Sequence, residues 1–361
     1  MHNFHESQLF RETYEDARQL FVETANKNEY ELTTYTYNEE HAISCDVAHK
    51  IVDCDTVLVT ISGVHGIEGF CGSAIQNHLL RTLNGHTLSQ IHVHSLNAWG
   101  MKFFSRTNED HIDVNRNFID FSQPLPINLD YDLIHDRVNL INWNSETKKD
   151  FEIFLQEFIK THGLKTWNKA FSGGQYQYPD GIAFGGCQPT RSNQILNKIL
   201  EFIPSHSKSI VILDFHTGIG KFGEALGLVQ YKGEQGWLQD FLNTSKISNI
   251  LIQDNDNLPM SPSHFSGSVI NFFHTMLLKN TLCIVFEYGT YDPLKMIKAI
   301  IYDNWSRHRD KAKGLLERQN LLALYCPTDE IWRAKVITHV EEFTQRLLNS
   351  LEISRTISPP S

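Results

Sequence analysis

The 361-residue sequence is 41% hydrophobic and 20% charged, the balance of a chain that buries a core rather than of a disordered one. Its formal net charge of −10 offers no positive field for nucleic acid, and no stretch approaches the roughly 18 consecutive apolar residues of a membrane span. The start, MHNFHESQLF, lacks a basic segment followed by an apolar one, and the six cysteines are scattered without a CxxC pair, so the expected setting is reducing and cytoplasmic.

Residues 7–27 place Leu9, Phe10, Ala17, Leu20 and Phe21 at helical spacing and predict an amphipathic N-terminal helix. Residues 30–37 and 43–52 are β-branched and aromatic and read as strands. The run TVLVTIS from Thr56 is apolar, as a parallel strand buried on both faces is, and it breaks into the glycine-rich VHGIEG before a helix begins near Gly69. Residues 90–96 are the next strand. The segment SRTNEDHIDVNRNF, 105–118, reads as a polar loop, too charged for core and too long to be an idle turn.

A charged amphipathic helical stretch at 129–168 opens an expected insertion over about 129–190, which also holds the glycine- and aromatic-rich GQYQYPDGIAFGG. A helix is expected at 193–202. SIVILDFHTG then repeats the earlier architecture of an apolar strand, a histidine and a glycine. Strands follow at 226–231, 247–253 and 281–287, with helices near 294–324 and 328–351. Strands alternating with helices imply an α/β fold, a mixed, mostly parallel sheet between helical layers. Without a proline- or serine-rich linker, a single catalytic domain over 1–355 is expected, with 356–361 as a tail.

Three predicted strand ends carry side chains that sheet packing does not call for: His65 with Glu68, His216 with Asp214, and Glu287. Buried charge is costly unless it is paired or bound to a metal. Catalytic zinc takes three histidine and carboxylate ligands and keeps one position open. His65, Glu68 and His216 supply that set, and Glu287 is left as a general base for a zinc-activated water. Because an HxxE pair also arises by chance, the surrounding residues carry weight. His92 and His94 alternate onto one face of their strand, but no glycine break follows, and they read as a polar strand face. In the 105–118 loop, Arg106, Asn115 and Arg116 offer two guanidinium groups and an amide, suited to a carboxylate or to an oxyanion. The glycine run 218–223 matches a dinucleotide fingerprint literally. The segment behind it reads as a strand, however, and so offers no helix N-terminus for a pyrophosphate.

Taken in order, HGIE at 65–68, DVNRNF at 113–118, the histidine of DFHTG and the glutamate of FEYG resemble the zinc carboxypeptidase superfamily, which includes carboxypeptidase A and the aspartoacylase and succinylglutamate desuccinylase enzymes. SGVHGIEGFCGS and YPDGIAFGG look most similar to an uncharacterised, largely bacterial branch. The resemblance implies a sheet of about eight strands and one zinc ion per chain, held by His65, Glu68 and His216. It implies Glu287 as general base, Arg106 polarising the scissile carbonyl, Asn115 and Arg116 holding a free carboxylate, and Asp113 orienting a ligand histidine. The short step from Arg106 to Asn115 is more like the acyl-amino-acid hydrolases than the peptidases. The implied substrate is therefore a small peptide or an N-acyl amino acid. Tyr176, Tyr178 and Phe184, and Tyr288 and Tyr291 beside Glu287, stay open between specificity pocket and packing. Two other readings compete: a non-catalytic metal- or ligand-binding protein on the same fold, and a nucleotide-binding protein built on residues 218–223.

Overall fold

The computed structural model describes residues 6–233, 238, 250–252, 266–277, 280–309 and 314–357. Its centre is a mixed sheet of eight strands in the order β1-β2-β4-β3-β5-β8-β6-β7. In chain order these are β1 (Glu31–Asn38), β2 (Ile43–Lys50), β3 (Thr56–Ser62), β4 (Ser89–His94), β5 (Ser209–Thr217), β6 (Ala225–Lys232), β7 (Ile250–Ile252) and β8 (Asn280–Tyr288). Seven of these strands carry the sheet, and the three-residue β7 only extends its edge. The central run β4-β3-β5-β8 is parallel throughout, while β1, β2 and β6 join antiparallel. The rest of the strand predicted at 247–253 lies outside the described residues.

Side chains of the parallel strands alternate into two cores. On one face Leu58, Val211, Leu213, Phe215 and Phe286 pack with Phe70, Ile75 and Leu79 of α2 (Gly69–Thr82), and with α1 (Tyr14–Lys27) on the same side. On the other face Val57, Val59, Ile61, Ile210 and Ile212 pack beneath helices at 191–199 and 269–276, which bring Ile195, Leu196, Val269 and Phe273. At about 1.5–3 kcal/mol per buried large apolar side chain, this double coverage stabilises strands whose backbones reach no water. The Thr13 hydroxyl caps α1 by accepting from the Asp16 amide at 3.1 Å.

The helices of the expected insertion occupy 129–132, 135–138, 145–162 and 164–172 and form a satellite core of Tyr131, Phe151, Phe158, Trp167 and Phe171. Ile301 of α3 (Pro293–Arg309) joins that core. The helix expected over 294–324 divides into α3 and α4 (Gly314–Tyr325), and α5 (Glu330–Ile357) runs into the expected tail. The 105–118 loop departs most from expectation. Ser105, Asn108, Asp113, Val114, Arg116 and Asn117 are all buried, because hydrogen bonds within the protein replace water for a segment whose composition looks exposed. Residues 218–223 form a loop leading into β6, as expected of a run with no helix behind it.

Candidate active site

The C-terminal ends of β3, β5 and β8 open onto one cavity of about 130 Å³, where ligands collect in parallel sheets. His65, Glu68, Arg106, Asn115, Arg116, His216 and Glu287 all line it. Register places His216 directly opposite Glu287 on adjacent strands. After β3 the chain turns at Gly63, with φ of +68°, into a 3-10 turn over Gly66–Glu68. A Cβ on Gly66 would overlap the Gly100 backbone, so glycine lets this turn lie against the loop that carries Arg106. Ile67 N–H donates to the Ser105 carbonyl at 2.9 Å, and Gly66 N–H to that of Arg106 at 3.2 Å.

Three donor groups converge at the cavity floor. His65 Nδ1 and His216 Nδ1 lie 3.1 Å apart, His65 Nδ1 is 3.1 Å from Glu68 Oε1, and His216 Nδ1 is 3.0 Å from Glu68 Oε2. A tetrahedral ion with bonds of about 2.0–2.1 Å has ligand atoms about 3.3 Å apart, so the triangle has the right size. Among the described residues this is the one buried histidine and carboxylate group with converging donor atoms. Two unprotonated Nδ1 atoms facing each other and a carboxylate repel unless a proton or a metal cation lies among them.

The outer ring nitrogens meet further carboxylates. His216 Nε2 lies 2.9 Å from Asp214 Oδ2, and the i, i+2 spacing on β5 puts both side chains on one face. His65 Nε2 lies 3.2 Å from Asp113 Oδ1 and 2.7 Å from Arg106 Nη2. With the Nε2 proton directed to Asp113, Nδ1 is left as the lone-pair donor, the tautomer a metal needs. The alternative tautomer accepts from Arg106 instead. Glu68, Asp113, Asp214 and Glu287 face Arg106 and Arg116, a surplus of negative charge that also suits a cation.

Electrostatics separate the two glutamates. Burial pushes the Glu68 carboxyl up, but His65, His216 and Arg106 outweigh it and hold Glu68 well below the usual range. Glu287 is raised to about 8, chiefly by burial and against the pull of His216, and its Oε2 is buried with no partner among the described residues. Burial alone would lower His216; the Asp214 charge and hydrogen bond, with Glu68, raise it well above 6.5. Asp113 is lowered despite burial by His65, Arg106 and Arg116.

Arg106 donates from Nη1 to Glu68 Oε1 at 2.8 Å. Arg116 donates from Nε to the Ser172 carbonyl at 2.9 Å and from Nη1 to the Asn115 carbonyl, which ties it to the end of the helical insertion. Asn115 Oδ1 accepts from the Val269 amide at 2.9 Å. The open tyrosines divide. Tyr176 donates to the Arg116 carbonyl at 2.6 Å behind the site, and Tyr178 stacks on His135. Tyr288 is buried within 3.2 Å of His339, and Tyr291 packs on Phe222. None of the four lines the cavity, and neither does Phe184. His92 and His94 are completely buried under α1 and α2, away from it.

The sequence did not single out three contributors. Asp303 accepts from the Arg106 amide at 2.8 Å and from the Ser105 hydroxyl at 3.1 Å. Arg307 donates to the Ser105 hydroxyl at 2.9 Å, to Thr107 Oγ1, and to the Asn108 carbonyl at 2.5 Å. Together they fix the loop bearing Arg106. Tyr325, the last residue of α4, lines the cavity directly. Only the i, i+4 spacing of Asp303 and Arg307 hinted at a pair, and nothing local marked Tyr325.

A family model described as "Protein of unknown function (DUF2817)" matches residues 10–339. No curated protein matches the chain. Among solved structures, carboxypeptidase A from Helicoverpa armigera superposes with a TM-score of 0.46 at 11% identity, covering 89% of this chain and 75% of that one. Bovine thrombin-activatable fibrinolysis inhibitor, solved with tick carboxypeptidase inhibitor, gives 0.45 at 10% identity, covering 94% and 99%. A metallo-carboxypeptidase from Burkholderia cenocepacia gives 0.44 at 9% identity, covering 83% and 70%. Scores of this size leave the chemistry to be argued from this chain's own residues.

Proposed function

The chain belongs to the DUF2817 family, and for it we propose a zinc-dependent hydrolase that cleaves an amide bond next to a free carboxylate, in a small peptide or an N-acyl amino acid. The observation that carries this reading is the convergence of His65 Nδ1, His216 Nδ1 and the Glu68 carboxylate beside the unpartnered Oε2 of Glu287. His65, Glu68 and His216 would hold the ion, which supplies Lewis-acid chemistry and makes water acidic near neutral pH. Asp113 and Asp214 would orient the two imidazoles.

Glu287 would take the proton from the attacking water and return it to the leaving nitrogen. Burial raises Glu287, and a cation held by the neighbouring triad would lower it again towards a carboxylate able to accept that proton. Arg106 would donate to the carbonyl oxygen as charge develops there. Arg116 and Asn115 would bind the substrate carboxylate, which replaces part of Arg116's bonding to the Ser172 and Asn115 carbonyls. Ile219, Leu228, Ile270 and Val285 on the cavity wall favour an apolar side chain on the substrate. The chain would act as one catalytic unit. Its six unpaired cysteines fit the cytoplasm, and among the described residues no helix is long and apolar enough to cross a membrane.

The test is elemental analysis of the purified protein beside a His65→Ala/His216→Ala variant, with both assayed on N-acetyl amino acids and blocked dipeptides. About one zinc per chain in the native protein and none in the variant is expected, with turnover abolished in the variant and in chelator-treated native protein. A native protein that takes up no zinc even when zinc is supplied overturns the reading.

A further inference from the structure

We propose that Tyr325 contacts the substrate, its hydroxyl donating a hydrogen bond to the carbonyl oxygen of the amide under attack; the assignment rests on the hydrolase reading above. Tyr325 ends α4, is 1% exposed, and lines the cavity shared by Glu287, Arg106 and His216. Its Oη is buried and has no hydrogen-bond partner among the described residues. Buried phenols in folded proteins find partners, because desolvating a hydroxyl for nothing is costly. Phenylalanine would fill the same space without that cost. A buried, unpartnered hydroxyl on a side chain that lines a cavity is left to find its partner in what occupies the cavity.

Charge explains which partner. Arg106 is the evident donor for a developing oxyanion, yet its Nη1 is bound to Glu68 Oε1 and its Nη2 lies against His65 Nε2 and Asp113 Oδ2. Tyr325 has no such competing acceptor. Burial raises its pKa well above 10, and the nearby Arg106 lowers it less than burial raises it, so the hydroxyl keeps its proton at neutral pH and remains a donor. Glu68 and Glu287, which line the same cavity, would be poor neighbours for a phenolate but good ones for a neutral phenol. The ring is anchored at a closed helix end, where Cys326 N–H donates to the Leu322 carbonyl at 2.7 Å. Asp303 and Arg307 of α3 hold the facing 105–109 loop. Donor and reaction centre thus sit on fixed supports, as preorganised stabilisation of an oxyanion requires.

Tyr325→Phe removes only the hydroxyl. Native and variant protein are compared on the same N-acetyl amino acids and blocked dipeptides, and both are titrated with a phosphinic dipeptide whose tetrahedral phosphorus mimics the attacked carbonyl. Loss of one oxyanion donor predicts a fall in kcat of about 10²-fold with KM nearly unchanged. The phosphinic dipeptide should bind more weakly by a similar factor. Zinc content should match the native protein, and Tm should be equal or higher, because the variant no longer buries an unpartnered hydroxyl. Native turnover that persists undiminished in Tyr325→Phe overturns this assignment alone, as does a change confined to KM. A native protein that neither hydrolyses these substrates nor binds the phosphinic dipeptide overturns the hydrolase reading and this assignment with it.

Discussion

Two pairs of histidines lie on strands of the same sheet or just beyond their ends, and burial does not tell them apart: His65 and His216 are 4% and 1% exposed, His92 and His94 both 0%. Their acceptors do. His216 faces Glu68 and Asp214, and His65 faces Glu68 and Asp113. On β4, His92 Nδ1 accepts from the Thr60 hydroxyl at 2.8 Å while Nε2 donates to Gln90 Oε1 at 3.3 Å. His94 Nε2 lies 2.9 Å from Ser73 Oγ, and its ring stacks on Phe21. Burial disfavours the charged ring at all three strand positions, His92, His94 and His216, and the neighbouring carboxylates decide whether it prevails. His216 is raised by its carboxylates, whereas burial lowers His92 to about 3 and His94 to about 4. One pair is set among carboxylates, and the other is hydrogen-bonded to neutral side chains.

The charged side of this contrast breaks most sharply at Glu287. Glu287→Gln keeps the shape and removes the base, so turnover should fall by about 10³-fold or more while zinc content stays at the native level. Near-native turnover would remove Glu287 from the chemistry. Arg116→Ala is expected to act more mildly, raising KM for free-acid substrates by about 10–100-fold, the value of a charge-assisted hydrogen bond or two. Substrates whose carboxylate is amidated should react alike with native and variant protein. If native protein already accepts amidated and free acids equally, there is no carboxylate clamp. His92→Gln with His94→Gln completes the contrast, because it should leave the zinc content untouched.

How much of this was readable from residues alone follows the range of the forces involved. His216 and Glu287 stood out in the sequence because each ends an apolar run, and His65 and Glu68 because they sit in the glycine-rich break that follows one, where a charge is conspicuous. The α/β sandwich could be read for the same reason, since strands buried on both faces leave unbroken apolar runs. The 105–118 loop could not be read as buried. Its polar residues are satisfied by groups far along the chain: the Asn117 amide donates to the Gly185 carbonyl at 2.8 Å, and Asp303 and Arg307 bind residues 105–109. Composition reports what a segment could offer to water, not what else accepts it. Tyr325 was hidden in LLALYCP, where an aromatic on a helix is ordinarily core, and only the absence of a partner sets it apart.

The neutral side yields the smallest but most isolable effect, the pH dependence of stability. An unfolded histidine takes a proton near pH 6.5, whereas folded His92 and His94 resist protonation down to about 3 and about 4. Between those limits the unfolded chain binds more protons, so stability is complete above about pH 6.5 and declines as pH falls towards 4. Each such histidine contributes a slope of about 1.4 kcal/mol per pH unit. His49, His78 and His339 are also lowered, and Asp46 and Arg18 lie near His94 with opposing effects, so the native slope sums several groups. Subtraction isolates one of them. Urea unfolding of His94→Gln at a series of pH values should show a slope smaller by up to one proton, whatever the substitution does to stability at pH 7. A variant slope equal to the native one would mean that His94 already shares its proton in the folded state, and the division between a charge-seeking pair and a neutral pair would lose its physical basis.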